Sequence, residues 1–342
     1  VKVLVTGATG FLGSRLVERL LAHGEKDIRC LVRTGSDRSN LDALAASHPG
    51  AKIEAFTGSL ANKQAAAAAL EGVGVVYHLA ASLAGAPADM FLNTVVTSKN
   101  LLDAVADRLS ARPSDRLKIV LVSSFGVYGV ADRPRGGLLD ESNPLEDHPE
   151  RRDVYSQAKL RQEKLFHEYQ KRLGFSLVVL RPGVIYGPGG SRMSVRVGLD
   201  LAGIFLYLGG KNLLPLTYVD NCAEAIAVAG QSEAANGQVF NVVDDDLVTA
   251  GEYLTRFRRE VKPMRTVPVP YAALSLGSKL VVRYHRWSKG QLPAIFTPYK
   301  VATSWGGNTF TNAKLKSIGW KPIVRTPDGL QKAFDFYRAN PK

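Results

Sequence analysis

Residues 1–16 read VKVLVTGATGFLGSRL. A short aliphatic run ends at a glycine, and a helix-like pattern begins within a few residues. Gly7, Gly10 and Gly13 follow one another at intervals of three. Glycines at such a junction permit a tight turn and let the backbone approach a pyrophosphate, and the helix beyond offers free N–H groups and a positive dipole end. The spacing is G-x-x-G-x-x-G rather than G-x-G-x-x-G, and no Gly-Lys-Ser/Thr follows, which excludes a P-loop. Alone the glycines mean little. Their weight depends on whether the strand–turn–helix unit repeats.

It does repeat. DIRCLVR (27–33), KIEAF (52–56), VGVVYHLAA (73–81), LKIVLVSS (117–124) and FSLVVLRP (175–182) read as buried strands. Helix-like stretches lie between them at 11–23, 62–70, 90–109 and 154–173. Continuously apolar strands alternating with helices predict an α/β fold with a doubly wound parallel sheet. After residue 182 the rhythm breaks, with Gly and Pro frequent in RPGVIYGPGG (181–190). We therefore expect a dinucleotide-binding domain over 1–182 that carries the catalytic residues. A smaller, mostly helical substrate-binding part is expected over 183–342, with segments such as QVFNVV (238–243) returning to the sheet.

The bulk properties fit a folded globular protein. The chain has 342 residues, 45% hydrophobic and 22% charged, the range of globular proteins. No apolar run approaches the length of a spanning helix, and the sequence opens directly in a strand with no secretory leader expected. Cys30 and Cys222 lie far apart in apolar runs and read as reduced core thiols of an intracellular, cytoplasmic protein. No His/Cys/Asp/Glu cluster has metal-ligand spacing, so no metal is expected. The net charge is +13 and is unevenly placed: residues 251–342 hold 17 Lys and Arg against 4 Asp and Glu, while the rest balances at 27 each. No nucleic-acid-binding motif accompanies that charge, so nucleic acid is not expected as a partner. A solvated basic surface, an anionic substrate and a peripheral contact with an anionic membrane remain open. YAALSLGSKLVVRYHRWSKGQL (271–292) mixes apolar residues with Lys279, Arg283, Arg286 and Lys289. It predicts a helix covering the substrate pocket, or alternatively one lying on a lipid surface.

The second strand indicates which dinucleotide binds. An NAD site usually places an acidic residue at that strand's end, but here Arg33 stands there, with Ser36 and Arg38 behind it. Guanidinium groups favour a 2′-phosphate, so NADP(H) is preferred over NAD(H). Ser59 in TGSL is placed to position the adenine. Thr9, Phe11, Leu12, Leu60, Leu79, Ala80, Ala81, Pro182 and Val184 lie at the same strand-end turns and are expected along the cofactor.

Hydride exchange between a carbonyl and a secondary alcohol needs a proton partner at the oxygen. Tyr155 and Lys159 in YSQAK (155–159) lie four apart on a predicted helix, one above the other. A phenol near pKa ~10 exchanges its proton poorly at neutral pH, and an adjacent ammonium lowers that value. Ser124 ends the fifth strand, where a doubly wound sheet places its ligands. His78 reads as a packed strand-end residue, Arg181 as structural, and Asp220 as the cap of a helix start.

With these motifs in order, the chain resembles an extended short-chain dehydrogenase/reductase of the NAD-dependent epimerase/dehydratase superfamily. The similarity is carried by TGATGFLG, VYHLAA (76–81), Asn93 in NTVVTSKNLL, SSFGVYG, YSQAK, LRPGVIYGPGG and YVDNCAEAI (218–226). It implies a Ser–Tyr–Lys site at Ser124, Tyr155 and Lys159, with Ser124 chosen over Ser123 by its distance from Tyr128. Asn93 is either a helix cap or orders the helix and a water near Lys159. Phe125 and Gly126 stand where sugar-nucleotide dehydratases carry Asp-Glu, and Leu214-Pro215-Leu216 is apolar where many members grip a diphosphate. GKNLLPLTYVDN (210–221), FTPYKVAT (296–303) and NAKLKSIGWKPIV (312–324) resemble the 3β-hydroxysteroid and sterol dehydrogenase branch. The resemblance implies a small-molecule substrate, an apolar steroid- or acyl-like alcohol or ketone. A sugar-nucleotide epimerase or reductase is the alternative. It also implies a homodimer through the helices at 93–109 and 154–173.

Overall fold

The computed structural model describes residues 1–201, 203–287 and 297–341. Its strands are β1 (Lys2–Thr6), β2 (Asp27–Val32), β3 (Lys52–Thr57), β4 (Val73–His78), β5 (Lys118–Val122), β6 (Leu138–Leu139), β7 (Ser176–Pro182), β8 (Val184–Tyr186), β9 (Gly198–Leu201), β10 (Ile204–Tyr207), β11 (Leu216–Tyr218), β12 (Val239–Val242), β13 (Thr266–Pro268) and β14 (Thr309–Phe310). Seven of them form one sheet in the order β12-β7-β5-β4-β1-β2-β3, every pair parallel. The chain winds one way from β1 to β3 and the other way from β4 outward. The reversal lies between β1 and β4, so a crevice opens at their carboxyl ends, where such sheets bind ligands.

Apolar cores fill both faces. On one, α1 (Phe11–Ala22) packs against α7 (Val219–Gln231) over Val3, Val5, Ile28 and Val120. On the other, α3 (Lys63–Ala69), α5 (Thr97–Ala111) and α6 (Val154–Leu173) cover Leu4, Val76, Ile119 and Val179. Because both faces are covered, the strands are continuously apolar rather than alternating. The last strand, β12, enters beside β7 from residues 239–242, so the second half of the chain completes the sheet of the first. A third apolar cluster joins β11, α8 (Ala250–Glu260) and α12 (Thr326–Ala339) through Leu216, Leu254, Phe257 and Phe334.

Local chemistry fixes the helix that matters most. Asp153 caps α6 by accepting from the Ser156 N–H at 2.9 Å, and Gly174 ends it in a left-handed conformation, φ 75°, as such caps require. Midway along α6, the Glu163 carboxylate meets the Arg181 guanidinium and the Ser123 hydroxyl in a buried cluster, and that guanidinium stacks 4.6 Å from the centre of the Tyr128 ring. Arg181 is thus structural, as expected, but it binds strand β7 to helix α6. Such a buried pair is weak evidence of net stability, yet it fixes how α6 sits against the sheet.

Two expectations are corrected here. Asp220 does not cap α7: that position is Tyr218, whose N–H donates to the Asp244 carboxylate at 2.9 Å. Asp220 lies inside the first turn and pairs with Arg15 at 3.4 Å. The described part of the segment at 271–292, helix α9 (Tyr271–Trp287), does not line the pocket, and residues 288–292, with Lys289, lie outside the described residues. Only its first turns are held, Leu274 joining Val301 and Trp305 of α10 (Pro298–Trp305) and Tyr271 stacking under Arg135 at 4.0 Å. Beyond that, Leu276, Leu280, Tyr284 and Trp287 are exposed, as are Lys279 and Arg283. No helix among the described residues is long and apolar enough to cross a membrane.

Candidate active site

One cavity of about 1020 Å³ follows the crevice from the glycine turn to residues 303–304 of α10. At one end it is built from backbone. Gly7 takes φ 74°, and a Cβ at Gly13 would lie 2.0 Å from the Gly7 carbonyl oxygen. Only glycine leaves the first turn of α1 open there. Thr9, Gly10, Phe11, Leu12, Arg33, Ser36, Ser59, Leu60, Leu79, Ala80 and Ala81 continue the wall, with Pro182 and Val184 opposite. The Arg33 side chain is exposed and makes no hydrogen bond or ion pair among the described residues. A turn packed too closely against α1 to admit a side chain at Gly13, with an unpaired guanidinium at the rim of the cavity, fits a dinucleotide. Arg38 does not belong to this wall. It turns outward to pair with Asp42 at 3.3 Å on the exposed face of α2 (Ser39–Ser47), because the chain leaves the crevice after Ser36.

Ser124, Tyr155 and Lys159 meet where the cavity passes the end of β5. Ser124 begins the turn at Phe125–Val127 and accepts from the Gly126 N–H at 3.1 Å. Ser123 is occupied by Glu163, which leaves Ser124 as the hydroxyl beside the Tyr155 phenol. Burial pushes that phenol above its ordinary value, and the Ser124 hydroxyl opposes the shift. Burial also pulls the Lys159 ammonium down to about 7, against the raising effect of the Glu163 charge. A lysine so placed holds its proton loosely at neutral pH, so whatever surrounds it governs whether it is charged.

That surrounding is a hydrogen-bonded chain. Lys159 Nζ donates to the Val122 carbonyl at 2.8 Å and to Gln162 Oε1 at 2.9 Å. Gln162 Nε2 donates to Ser98 Oγ at 2.8 Å, and Ser98 donates to the Thr94 carbonyl at 2.5 Å. His78 Nε2 lies 2.9 Å from the same Ser98 oxygen, and His78 Nδ1 lies 2.9 Å from Thr6 Oγ1. Thr6 Oγ1 already accepts from the Leu79 and Ala80 N–H groups, so its own proton points to Nδ1. Ser98 has given its proton to Thr94, so Nε2 of His78 carries the ring proton. Burial pulls His78 down to about 3, which keeps it neutral. In this assignment Gln162 Nε2 and His78 Nε2 both donate to Ser98 Oγ and stand 3.3 Å apart without a bond between them, and the Gln162 amide has its oxygen towards the ammonium. A flipped amide would set its NH₂ against Lys159. His78 is packed, as the sequence suggested, but it also links the strand of the glycine turn to Lys159.

Asn93 reaches the cavity wall but not Lys159. It sits in a π-helical turn, Leu92–Val96, and its amide donates back to the Asp89 carbonyl at 2.8 Å. π-turns often mark functional positions. Sequence reasoning missed Gln162, a polar residue one helical turn beyond Lys159 whose partners lie at residues 78 and 98. It also missed Arg152 and Arg196, which line the inner end of the cavity among Met193, Val195, Val197, Leu214 and Leu216. No group of three or more His, Cys, Asp or Glu among the described residues could hold a metal.

Comparison with known proteins agrees with this fold. The NAD dependent epimerase/dehydratase family matches residues 3–242. The chain is 25% identical over 349 residues to the mouse sterol-4-alpha-carboxylate 3-dehydrogenase, decarboxylating, covering 97% of this chain and 89% of that protein. It is 33% identical over 208 residues to sterol demethylase protein B of Methylococcus capsulatus, covering 58% and 56%. The solved structure of the Thermus thermophilus UDP-glucose 4-epimerase complex with NAD superposes with TM-score 0.69 at 23% identity, covering 99% of each chain. At that identity the superposition speaks for the fold.

Proposed function

The chain belongs to the NAD-dependent epimerase/dehydratase family as an extended short-chain dehydrogenase/reductase, and we propose that it is an oxidoreductase acting on a secondary alcohol or ketone with an apolar, steroid- or acyl-like body. The observation that carries this reading is the meeting of Ser124, Tyr155 and Lys159 on one wall, beside the apolar Leu214 and Leu216. The sterol dehydrogenases among its relatives support it. A bound nicotinamide dinucleotide supplies or accepts the hydride. Gly7, Gly10 and Gly13 would hold its phosphates against α1. We assign Arg33 to a 2′-phosphate and so favour NADP(H) over NAD(H).

The chain's own groups handle the proton. Ser124 holds the substrate oxygen, and the Tyr155 phenol gives that oxygen a proton in reduction or takes one in oxidation. The Lys159 ammonium stabilises the phenolate and so makes the exchange possible near neutral pH. Tyr155→Phe keeps the ring and removes the proton. Cofactor binding, followed by fluorescence of the reduced nicotinamide, is expected to stay near wild type. Turnover is expected to fall about 10²- to 10⁴-fold, and full turnover would refute the assignment. The second reading, a sugar-nucleotide epimerase, rests on the shared fold. It would be favoured by stabilisation with a UDP-sugar and with no hydroxysteroid in a thermal-shift assay.

A further inference from the structure

We propose that helix α9 is a docking surface for an anionic lipid bilayer: its exposed apolar stripe enters the headgroup boundary, and Lys279 and Arg283 meet acidic headgroups. The inference goes beyond the reading of the active site and does not depend on it.

The stripe is Leu276, Leu280, Tyr284 and Trp287, all exposed, Trp287 to 77% and Leu276 to 61%. Their spacing of four, four and three residues puts them on one face of a helix. The opposite face holds α9 to the body of the protein. There Leu274 joins Val301 and Trp305 of α10, and Ser278 is buried with its hydroxyl donating to the Ser275 carbonyl at 2.7 Å. With Val281, five of the sixteen large apolar side chains exposed among the described residues lie in this one 17-residue helix. The patch is therefore concentrated rather than scattered, and such patches mark interaction sites. The Tyr284 and Trp287 rings lie 5.6 Å apart, and both residue types favour the polar boundary of a bilayer.

Charge decides what covers the stripe. Lys279 and Arg283 stand along one flank of it, exposed and without a hydrogen-bond or ion-pair partner among the described residues. From Val261 to Pro327 the sequence holds eleven Lys and Arg and no Asp or Glu. A second copy docked by this face would bring two such cationic surfaces together against their repulsion. An anionic bilayer supplies the opposite charge and an apolar phase at once. No helix among the described residues is long and apolar enough to cross a membrane, so α9 lies in the plane of the lipid surface. The helix it rests on, α10, carries Thr303 and Ser304 of the cavity wall, which sets the docked bilayer one helix away from the inner end of the cavity.

The test mixes the full chain with vesicles of phosphatidylcholine, alone or with about one third phosphatidylserine, and follows co-sedimentation and tryptophan emission. Trp305 and Trp320 are buried, so a blue shift on binding reports Trp287. Wild type is expected to bind the anionic vesicles about 10-fold or more tightly than the neutral ones, with a blue shift, and to be released as salt rises. Lys279→Glu with Arg283→Glu is expected to weaken that binding about 30-fold or more. Leu276→Ser with Leu280→Ser is expected to weaken it about 10-fold or more and to diminish the blue shift. All four positions are exposed, so an unchanged melting temperature in both pairs shows that the fold survives. Wild type that ignores anionic vesicles at low salt, or binding that neither pair weakens, refutes the proposal. Binding that charge reversal removes but the serine pair leaves intact is attachment by charge alone, and it refutes the docked stripe. Self-association in sedimentation velocity that the serine pair abolishes, with no vesicle binding, gives the face to a second copy and refutes the lipid surface.

Discussion

The two ends of the cavity are built from different material. The cofactor end is made largely of backbone and its core is local in sequence: Gly7, Gly10 and Gly13 lie in one turn. The inner end is made of side chains from far-separated segments, with Arg152 before α6, Arg196 before β9, Leu214 before β11, and Thr303 and Ser304 in α10. A backbone site of this kind tolerates no side chain at Gly13, because helix and turn are already in contact there. A side-chain site tolerates many changes of size and is sensitive to changes of charge. The contrast predicts where substitutions will hurt and by which property.

Gly13→Ala is expected to have the largest effect. The added methyl would sit 2.0 Å from the Gly7 carbonyl oxygen and 2.8 Å from the Ala8 Cα, both backbone atoms. Neither can move without opening the first turn of α1. Nicotinamide cofactor binding should vanish from titration calorimetry, and stability should fall by about 2–3 kcal/mol, the usual scale of overpacking. Leu214→Ala, at the other end, serves as the comparison and should leave cofactor affinity unchanged. Retained cofactor affinity in Gly13→Ala would end the claim that the first site is built from backbone.

That contrast also explains what was legible in the sequence. Strands β1 to β5 and β7 could be located because a doubly covered sheet needs continuously apolar strands, and helix α6 because a helix-like stretch at 154–173 lies between two of them. Gly7 and Gly13 were legible because a turn is specified by neighbours. Arg38 was misplaced because sequence proximity to Arg33 does not say on which side of a turn a side chain emerges. Helix α9 was recognised as mixed apolar and basic, but its docking against α10 depends on Leu274 meeting Val301 and Trp305, which no local pattern records. Arg196 and Gln162 were invisible for the same physical reason. Their meaning comes from partners, or from the lack of them, at positions dozens of residues away.

Between the two ends stands Lys159, held by a chain of side chains that begins on the strand of the glycine turn. Gln162→Leu removes the acceptor of one ammonium hydrogen bond while keeping much of the volume. The ammonium loses stabilisation, so its pKa should move further below about 7. Activity that needs the charged lysine is present below that pKa and lost as pH rises through it, so the alkaline limb of kcat should move to lower pH. The charges acting on Lys159 otherwise stay in place, Glu163 raising it and His78 remaining neutral. We expect kcat at pH 7.5 to fall about 10-fold, one pKa unit being about 1.4 kcal/mol, with KM for cofactor and substrate nearly unchanged. Gln162→Glu places a carboxylate there and should move the limb the other way. Limbs that coincide in both variants and wild type would reduce Gln162 to packing.

The smallest effect is expected at the cofactor rim, where the first site stops being backbone and becomes a side chain. Arg33 is exposed, so water and salt weaken any charge pair it makes. Arg33→Asp should therefore not abolish cofactor binding. It should reduce the ratio of NADPH to NADH affinity by about 10-fold, roughly 1.4 kcal/mol, through loss of the guanidinium and repulsion of a 2′-phosphate. Part of that change should appear as tighter NADH, since a carboxylate at the end of β2 can accept from the ribose hydroxyls. The shift should shrink as ionic strength rises, unlike the loss in Gly13→Ala, which is steric and independent of salt. An affinity ratio that does not move, or one that moves equally at low and high salt, would mean that Arg33 selects by something other than charge.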